Sequence, residues 1–228
     1  MNQITHEITF KSDSFNLVGI LHLPESRNPP VVIGCHGLLS DSHSPKQLAL
    51  AKKCCDTGLA YFRFDHRCCG KSEGSFWEVT SFHARCRDLK FALNKLQSLG
   101  VVNERVGLFG SSLGGSVCLE FAGSRQIQAM VTFAAPLKSR FTRTAALPMN
   151  LSFDLSGRLS KIRNIHIFHG NADDTVPLAH ARSIYRQVAK PKNFTIQKNG
   201  DHRMSNPSHQ KAFLEAAVQW FQDRLLDC

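Results

Sequence analysis

The sequence predicts an α/β fold: a mostly parallel, twisted sheet of about eight strands, helices on both faces, and a minimal cap. Three observations carry that expectation. Short apolar runs alternate with amphipathic stretches, the pattern of βαβ units. Runs such as Pro30–Cys35 (PVVIGC) are apolar without interruption, as strands covered on both faces are. The chain has 228 residues, 42% of them hydrophobic, so a core can form without disulfide staples. We expect a single domain over residues 1–228, with 137–164 as a short basic cap segment.

The elements follow in order. Ile4–Phe10 and Asn16–Leu23 read as a hairpin around the polar turn Lys11–Phe15. Pro30–Cys35 is the buried strand already noted. Ser44–Thr57 has helical spacing at Leu48, Leu50, Ala51 and Cys55 and stops at Gly58. Leu59–Asp65 is a strand. Glu78–Leu99 reads as one long helix with Phe82, Leu89, Ala92, Leu93 and Leu96 on one side and Gly100 after its end. Arg105–Phe109 is a strand, Ser112–Gly123 a helix and Ile127–Ala135 a strand. After a segment of weak periodicity, Leu137–Asn164, come strand Ile165–His169, helix Leu178–Val188, strand Asn193–Gln197 and helix Pro207–Leu226.

Composition excludes collagen-like, low-complexity and disordered classes. Lys and Arg number 28 against 18 Asp and Glu, a net charge of +10. That balance admits nucleic acid, an anionic surface or an acidic substrate. Nucleic acid is disfavoured, since neither a binding motif nor aromatic-basic interleaving is present. No run reaches the roughly 18 apolar residues of a membrane span, and the N-terminus lacks the basic and apolar regions of a signal peptide. The eight cysteines include two adjacent pairs and no C-x-x-C, which predicts reduced thiols in a cytoplasmic protein. His66, Cys68 and Cys69 have no second pair at zinc spacing, so neither a metal nor another cofactor is expected.

Gly110-Ser111-Ser112-Leu113-Gly114 matches G-x-S-x-G between a predicted strand and a predicted helix. So tight a turn crowds its flanks, which Gly110, Gly114 and Gly115 relieve. Ser112 is then held outward beside a helix N-terminus, with the Leu113 amide facing the same space. Only Ser112 has glycine two residues to either side; Ser111 is out of register.

Here the chain resembles the α/β-hydrolase family, over nearly its whole length. Cys35-His36-Gly37-Leu38 is similar to the family's oxyanion-loop His-Gly. Phe62–Gly74 (FRFDHRCCGKSEG) resembles the family's strand-four stretch, RFD-x-RG-x-G-x-S-x-G, with Cys68 where glycine is usual, a departure expected to alter the loop. His169–Pro177 (HGNADDTVP) is similar to H-G-x-x-D-x-x-V-P. Within the family the likeness is to small esterases, the cinnamoyl and feruloyl esterases among them.

A serine hydroxyl needs a base, and the base an orienting acid. The family's order is Ser, then acid, then His. His166, His169, His180, His202 and His209 follow Ser112, and Asn199-Gly200-Asp201-His202 resembles the family's loop before the last helix. The resemblance implies His202 as base and Asp173 as acid, with Asp174 as the alternative. It implies an oxyanion hole from the Leu38 and Leu113 amides, with His36 bracing the loop and Gly37 supplying a backbone geometry that a side chain would block.

The segment Leu137–Asn164 is too short for a large lid. We expect one or two short helices and an open site suited to small esters. Lys138, Arg140, Arg143, Arg158, Lys161 and Arg163 against Asp154 give residues 138–163 a charge of +5. That segment is either solvated loop or a device that steers an anionic substrate. The expected function is a serine hydrolase for carboxylic esters of short or medium acyl chain. The same machinery would serve an acyl-CoA thioesterase or a peptidase, and a non-catalytic module binding an anionic partner is the rival from another class.

Overall fold

The computed structural model describes residues 4–139 and 151–226. Strands β1 (Ile4–Ser12) and β2 (Phe15–Leu23) form the expected hairpin, longer than predicted and turning through Asp13 at a φ of 54°. After β3 (Val31–Cys35) comes helix α1 (Pro45–Asp56), which buries Gln47, Leu50, Ala51, Cys54 and Cys55. Leu48, expected inside, is exposed: the buried stripe runs one position earlier, from Gln47. Strand β4 (Ala60–Phe64) follows.

The single long helix expected over Glu78–Leu99 is two helices. A short α2 (Phe76–Val79) stops at Thr80, and α3 (Phe82–Leu99) starts anew. The break is a cap: Ser81 is extended, and its side chain accepts from the Ala84 amide at 3.0 Å. Gly100 follows the end of α3, as predicted, and takes the left-handed conformation. Then come β5 (Val106–Ser111), α4 (Leu113–Ser124) and β6 (Ala129–Phe133), followed by β7 (Lys138–Ser139), β8 (Phe153–Asp154), β9 (Ile165–Gly170), α5 (Leu178–Gln187), β10 (Lys192–Gln197) and α6 (Pro207–Leu225).

Eight strands make one sheet in the order β1-β2-β4-β3-β5-β6-β9-β10. The first two junctions are antiparallel and the rest parallel. Helices α3, α4 and α5 cover one face, where Leu89, Leu93, Val117 and Ile184 are buried. Helices α1 and α6 cover the other, burying Leu50, Ala51, Phe213 and Phe221. Strands covered on both sides account for the uninterrupted apolar runs of β3 and β6.

Residues 140–150 of the expected cap segment lie outside the described residues, and Leu151 beside them has 3₁₀ form. Lys138–Ser139 pairs antiparallel with Phe153–Asp154. Leu137, Leu151, Leu155, Leu159 and Ile162 are buried in the main core, so the described part of the segment packs down rather than hanging free. Arg140 and Arg143 lie outside the described residues. No described helix is long and apolar enough to cross a membrane.

Candidate active site

The carboxyl ends of β3, β5 and β9 open on one cavity of about 980 Å³. In a parallel sheet the side chains at these ends meet at the crevice where the strand order reverses. Ser112 sits there, between β5 and α4, at φ 52° and ψ −124°. A serine in this region is strained. The strain is held by the Ser112 amide, which donates to Phe133 O at 2.8 Å, and by its carbonyl, which accepts from Gly115 at 2.8 Å. A Cβ on Gly110 would lie 2.5 Å from Gly114 O, and one on Gly114 would run into Cys35 O, so the turn admits only glycine there.

His202 lies on the loop between β10 and α6. Its Nε2 is 3.1 Å from Ser112 Oγ and its Nδ1 2.8 Å from Asp173 Oδ2. The carboxylate needs a donor, so Nδ1 carries the proton and Nε2 accepts from the serine hydroxyl. Asp173 follows β9. Its Oδ1 accepts from the Thr175 and Val176 amides at 2.9 and 2.7 Å, and His169 Nε2 stands 3.3 Å from Oδ2. Burial alone would raise its pKa. Hydrogen bonds from His169, His202 and the Val176 amide prevail and hold it well below the usual carboxylate range. Asp174 turns away and accepts from Thr175 Oγ1 at 3.1 Å. Of the two adjacent acids, the structure brings Asp173 to His202.

The other histidines have separate places. His166 is buried in β9, with Nε2 2.9 Å from Thr195 Oγ1 and Nδ1 without a partner. His169 Nε2 is 2.7 Å from Val176 O. His209 begins α6. His180 lines the cavity, with Nδ1 accepting from the Leu137 amide at 2.9 Å.

Leu38 and Leu113 both line the cavity beside Ser112. Leu113 opens α4, so its amide has no carbonyl to bond within the helix. His36 does brace the loop: Nδ1 donates to Gly37 O at 2.8 Å, and Nε2 accepts from the His66 amide at 3.1 Å. The expectation for Gly37 is corrected. Its φ is not in the left-handed region, and a Cβ there would make only ordinary contacts, 3.5 Å from Ser111 O and Ser112 Cβ. Cys68 takes a φ of 62°, and its thiol lies 2.9 Å from Thr80 Oγ1.

Sequence reading missed part of the cavity wall. Lys46, from the first turn of α1, and Arg203 line it together with Lys138, and no Asp or Glu side chain is in its lining among the described residues. Lys46 Nζ donates to Arg203 O at 2.8 Å and stands 5.2 Å from the Phe133 ring centre. Burial pulls its pKa down, partly offset by Asp201. Nothing in the local sequence of α1 marks Lys46, because its role comes from a loop 157 residues away. Of the basic residues expected at the mouth, only Lys138 among the described ones lines it. Arg158 is paired with Glu120 on the surface instead. No group of three or more described His, Cys, Asp or Glu residues could hold a metal ion.

Comparison with known proteins matches residues 27–165 to a family model described as serine aminopeptidase, S33. "Uncharacterized protein YfhR" of Escherichia coli (strain K12) is 28% identical over 152 residues, covering 62% of this chain and 52% of its own. The chain thus spans about half the length of that relative. "Palmitoyl-protein thioesterase ABHD10, mitochondrial" of Mus musculus is 26% identical over 213 residues, 77% of this chain and 69% of the relative. Among solved structures, Est1E from Butyrivibrio proteoclasticus with bound ferulic acid superposes with a TM-score of 0.83. It covers 95% of this chain and 98% of its own at 18% identity, a likeness of fold.

Proposed function

Because the chain belongs to the serine aminopeptidase S33 family, an α/β-hydrolase family, we propose that it hydrolyses carboxylic esters or thioesters through an acyl-enzyme on Ser112. The observation that carries this reading is the unbroken hydrogen-bond line from Ser112 Oγ through His202 to Asp173, at 3.1 and 2.8 Å, in the wall of the large cavity.

The steps follow from the geometry. Ser112 Oγ attacks the acyl carbon as its proton passes to His202 Nε2. Asp173 holds the ring in the right tautomer and stabilises the imidazolium without taking the proton. The Leu38 and Leu113 amides receive the oxyanion, a contribution of about 2.7–4 kcal/mol per donor. Collapse expels the alcohol or thiol, which takes the proton from Nε2. Water then attacks the acyl-enzyme by the same route and frees the acid and the serine.

The cavity, open and without a described covering helix, supports short or medium acyl groups. Lys46, Lys138 and Arg203, in a lining that holds no Asp or Glu among the described residues, support a substrate with an anionic end. Thiols at Cys35, Cys54, Cys68, Cys69, Cys86 and Cys118 that form no disulfide fit a reducing compartment such as the cytoplasm. The thioesterase alternative is supported by the mouse relative's name, and a single catalytic domain by the continuity of the sheet.

A fluorophosphonate probe and a panel of esters and thioesters, graded in chain length and charge, test the reading with Ser112→Ala as blank. We expect labelling at Ser112 and turnover absent from the blank. No labelling of folded protein, or equal rates in Ser112→Ala, would overturn it. Equal, salt-insensitive kcat/KM for matched neutral and anionic esters would remove the anionic preference alone.

A further inference from the structure

Arg85 is the largest of the fully buried side chains, and the mechanism above gives it no task. It lies near the start of α3 and reaches under the loop that follows β3. Nη1 donates to Gly37 O at 3.2 Å, and Nη2 donates to Leu38 O at 3.2 Å and meets Cys69 Sγ at 3.3 Å. Nε has no partner. Among the described residues no carboxylate pairs with this guanidinium. Asp88, one turn along the helix, is bound to Arg67 instead. A buried cation held by carbonyls and a thiol is costly, and apolar residues would pack the same space more favourably.

Its position supplies the compensation. In a trans peptide the C=O and N–H point in opposite directions. The Gly37 carbonyl is drawn inward by two donors, Arg85 Nη1 and His36 Nδ1. The His36 tautomer is fixed, because Nε2 accepts from the His66 amide and the proton must sit on Nδ1. The N–H of the same peptide belongs to Leu38 and is therefore turned outward, to the cavity that Gly37, Leu38 and Ser112 share. The loop is close enough for this to matter, since a Cβ on Gly37 would lie 3.5 Å from Ser112 Cβ. Two hydrogen bonds on a carbonyl also polarise its peptide and strengthen the N–H as a donor.

We infer that Arg85 is a positioning residue for the oxyanion, a buried cation that holds the Gly37–Leu38 peptide with the Leu38 N–H facing Ser112 and strengthens that donor. The inference rests on the hydrolytic reading of Ser112. Arg85 never touches substrate; it acts through the peptide.

The test uses the full chain and the best substrate of the panel. For wild type, Arg85→Gln, Arg85→Lys and Ser112→Ala, kcat and KM are measured. So are inhibition constants for two analogues of that substrate: a trifluoromethyl ketone, which adds Ser112 to give an anionic tetrahedral adduct, and an unreactive ether, which mimics the ground state. Arg85→Gln should lower kcat about 10- to 100-fold, less than or comparable to losing an oxyanion donor outright. KM and ether binding should stay within about twofold, while ketone affinity falls in step with kcat/KM. Arg85→Lys, which keeps the charge but not the two-pronged contact, should recover part of the rate. Wild-type kcat and ketone affinity in Arg85→Gln would overturn the inference, as would equal weakening of ketone and ether, the mark of a collapsed loop. Should Arg85→Gln not fold, Arg85→Lys decides by the same comparison of ketone with ether. Turnover that survives in Ser112→Ala would be a different result, bringing down the hydrolytic reading and this inference with it.

Discussion

Asp173 Oδ2 lies 2.8 Å from His202 Nδ1, on the opposite side of the ring from Ser112. The acid therefore selects the tautomer whose free nitrogen faces the serine. Asp173→Asn offers the ring an amide that can present a donor to Nδ1, which moves the ring proton to Nε2 and removes the base. We expect kcat to fall about 10³- to 10⁴-fold with little change in KM. Asp173 stays ionised well below the usual carboxylate range, despite burial, through its bonds from His169 and His202. Protonation of Asp173 should therefore not set the acid limb of kcat/KM against pH. An Asp173→Asn enzyme of wild-type kcat would contradict the orienting role.

A second carboxylate works for stability rather than chemistry. Asp88 is buried and accepts from Ser12 Oγ at 2.7 Å and from Arg67 at its amide (3.0 Å), Nε (2.9 Å) and Nη2 (2.8 Å). It joins α3 to β1 and to the loop after β4. Asp88→Ala would leave a buried guanidinium with only Asp13 and Ser12. The expected loss is about 3–5 kcal/mol in urea unfolding. Removing the exposed Lys71–Glu7 pair should leave the midpoint unmoved. Similar midpoints for both variants would mean that the network is not a clasp.

The sheet and the residues that meet at the cavity, Ser112, His202 and Asp173, were legible because each has a local signature. Buried parallel strands write themselves as apolar runs, and an elbow needs glycines around its serine. The break between α2 and α3 was hidden, because Ser81 caps only by giving up a helical conformation that its neighbours would allow. The register of α1 was misread because polar Gln47 is inside, where it accepts from Tyr61 Oη at 2.6 Å. Lys46 and Arg85 were invisible for another reason. Each gains its partners from segments distant in sequence, so its neighbours along the chain say nothing of its role.

The elbow yields a sharp contrast between two glycines. A Cβ on Gly110 would lie 2.5 Å from both Gly114 O and Gly115 Cα, backbone atoms that cannot move without shifting Ser112. Gly110→Ala should lower stability by about 3 kcal/mol or more and abolish Ser112 labelling. Gly58 has a φ of 87° and nothing within 4 Å of a Cβ, so Gly58→Ala should cost only about 1 kcal/mol and keep full labelling. Labelling at the wild-type rate in folded Gly110→Ala would show that the turn tolerates a side chain.

Stability should fall between about pH 6.5 and 4, and two buried histidines set the window. Burial, with the Arg63 charge, lowers the His22 pKa from 6.5 to about 4. Burial, with the Arg224 charge, lowers that of His166 from 6.5 to about 4. Their surroundings require neutral rings. His22 Nε2 accepts from Arg63 Nε at 2.9 Å, and His166 stacks on Phe168 at 4.0 Å. Below pH 6.5 the unfolded chain binds protons that the folded chain refuses until about pH 4. The stabilisation is thus complete above 6.5 and is lost as the pH falls towards 4, at about 1.4 kcal/mol per pH unit for each ring. His36 and His180, lowered mainly by burial, add in the same direction. Asp88 and Asp173 enter only below the ordinary carboxylate range, about pH 4, and so do not blur the window. Urea unfolding of wild type and His166→Phe at about pH 7, 5.5 and 4.5 makes the test. The variant, which preserves the ring stack, should lose less stability on acidification. Parallel losses in the two proteins would assign the acid sensitivity to other groups.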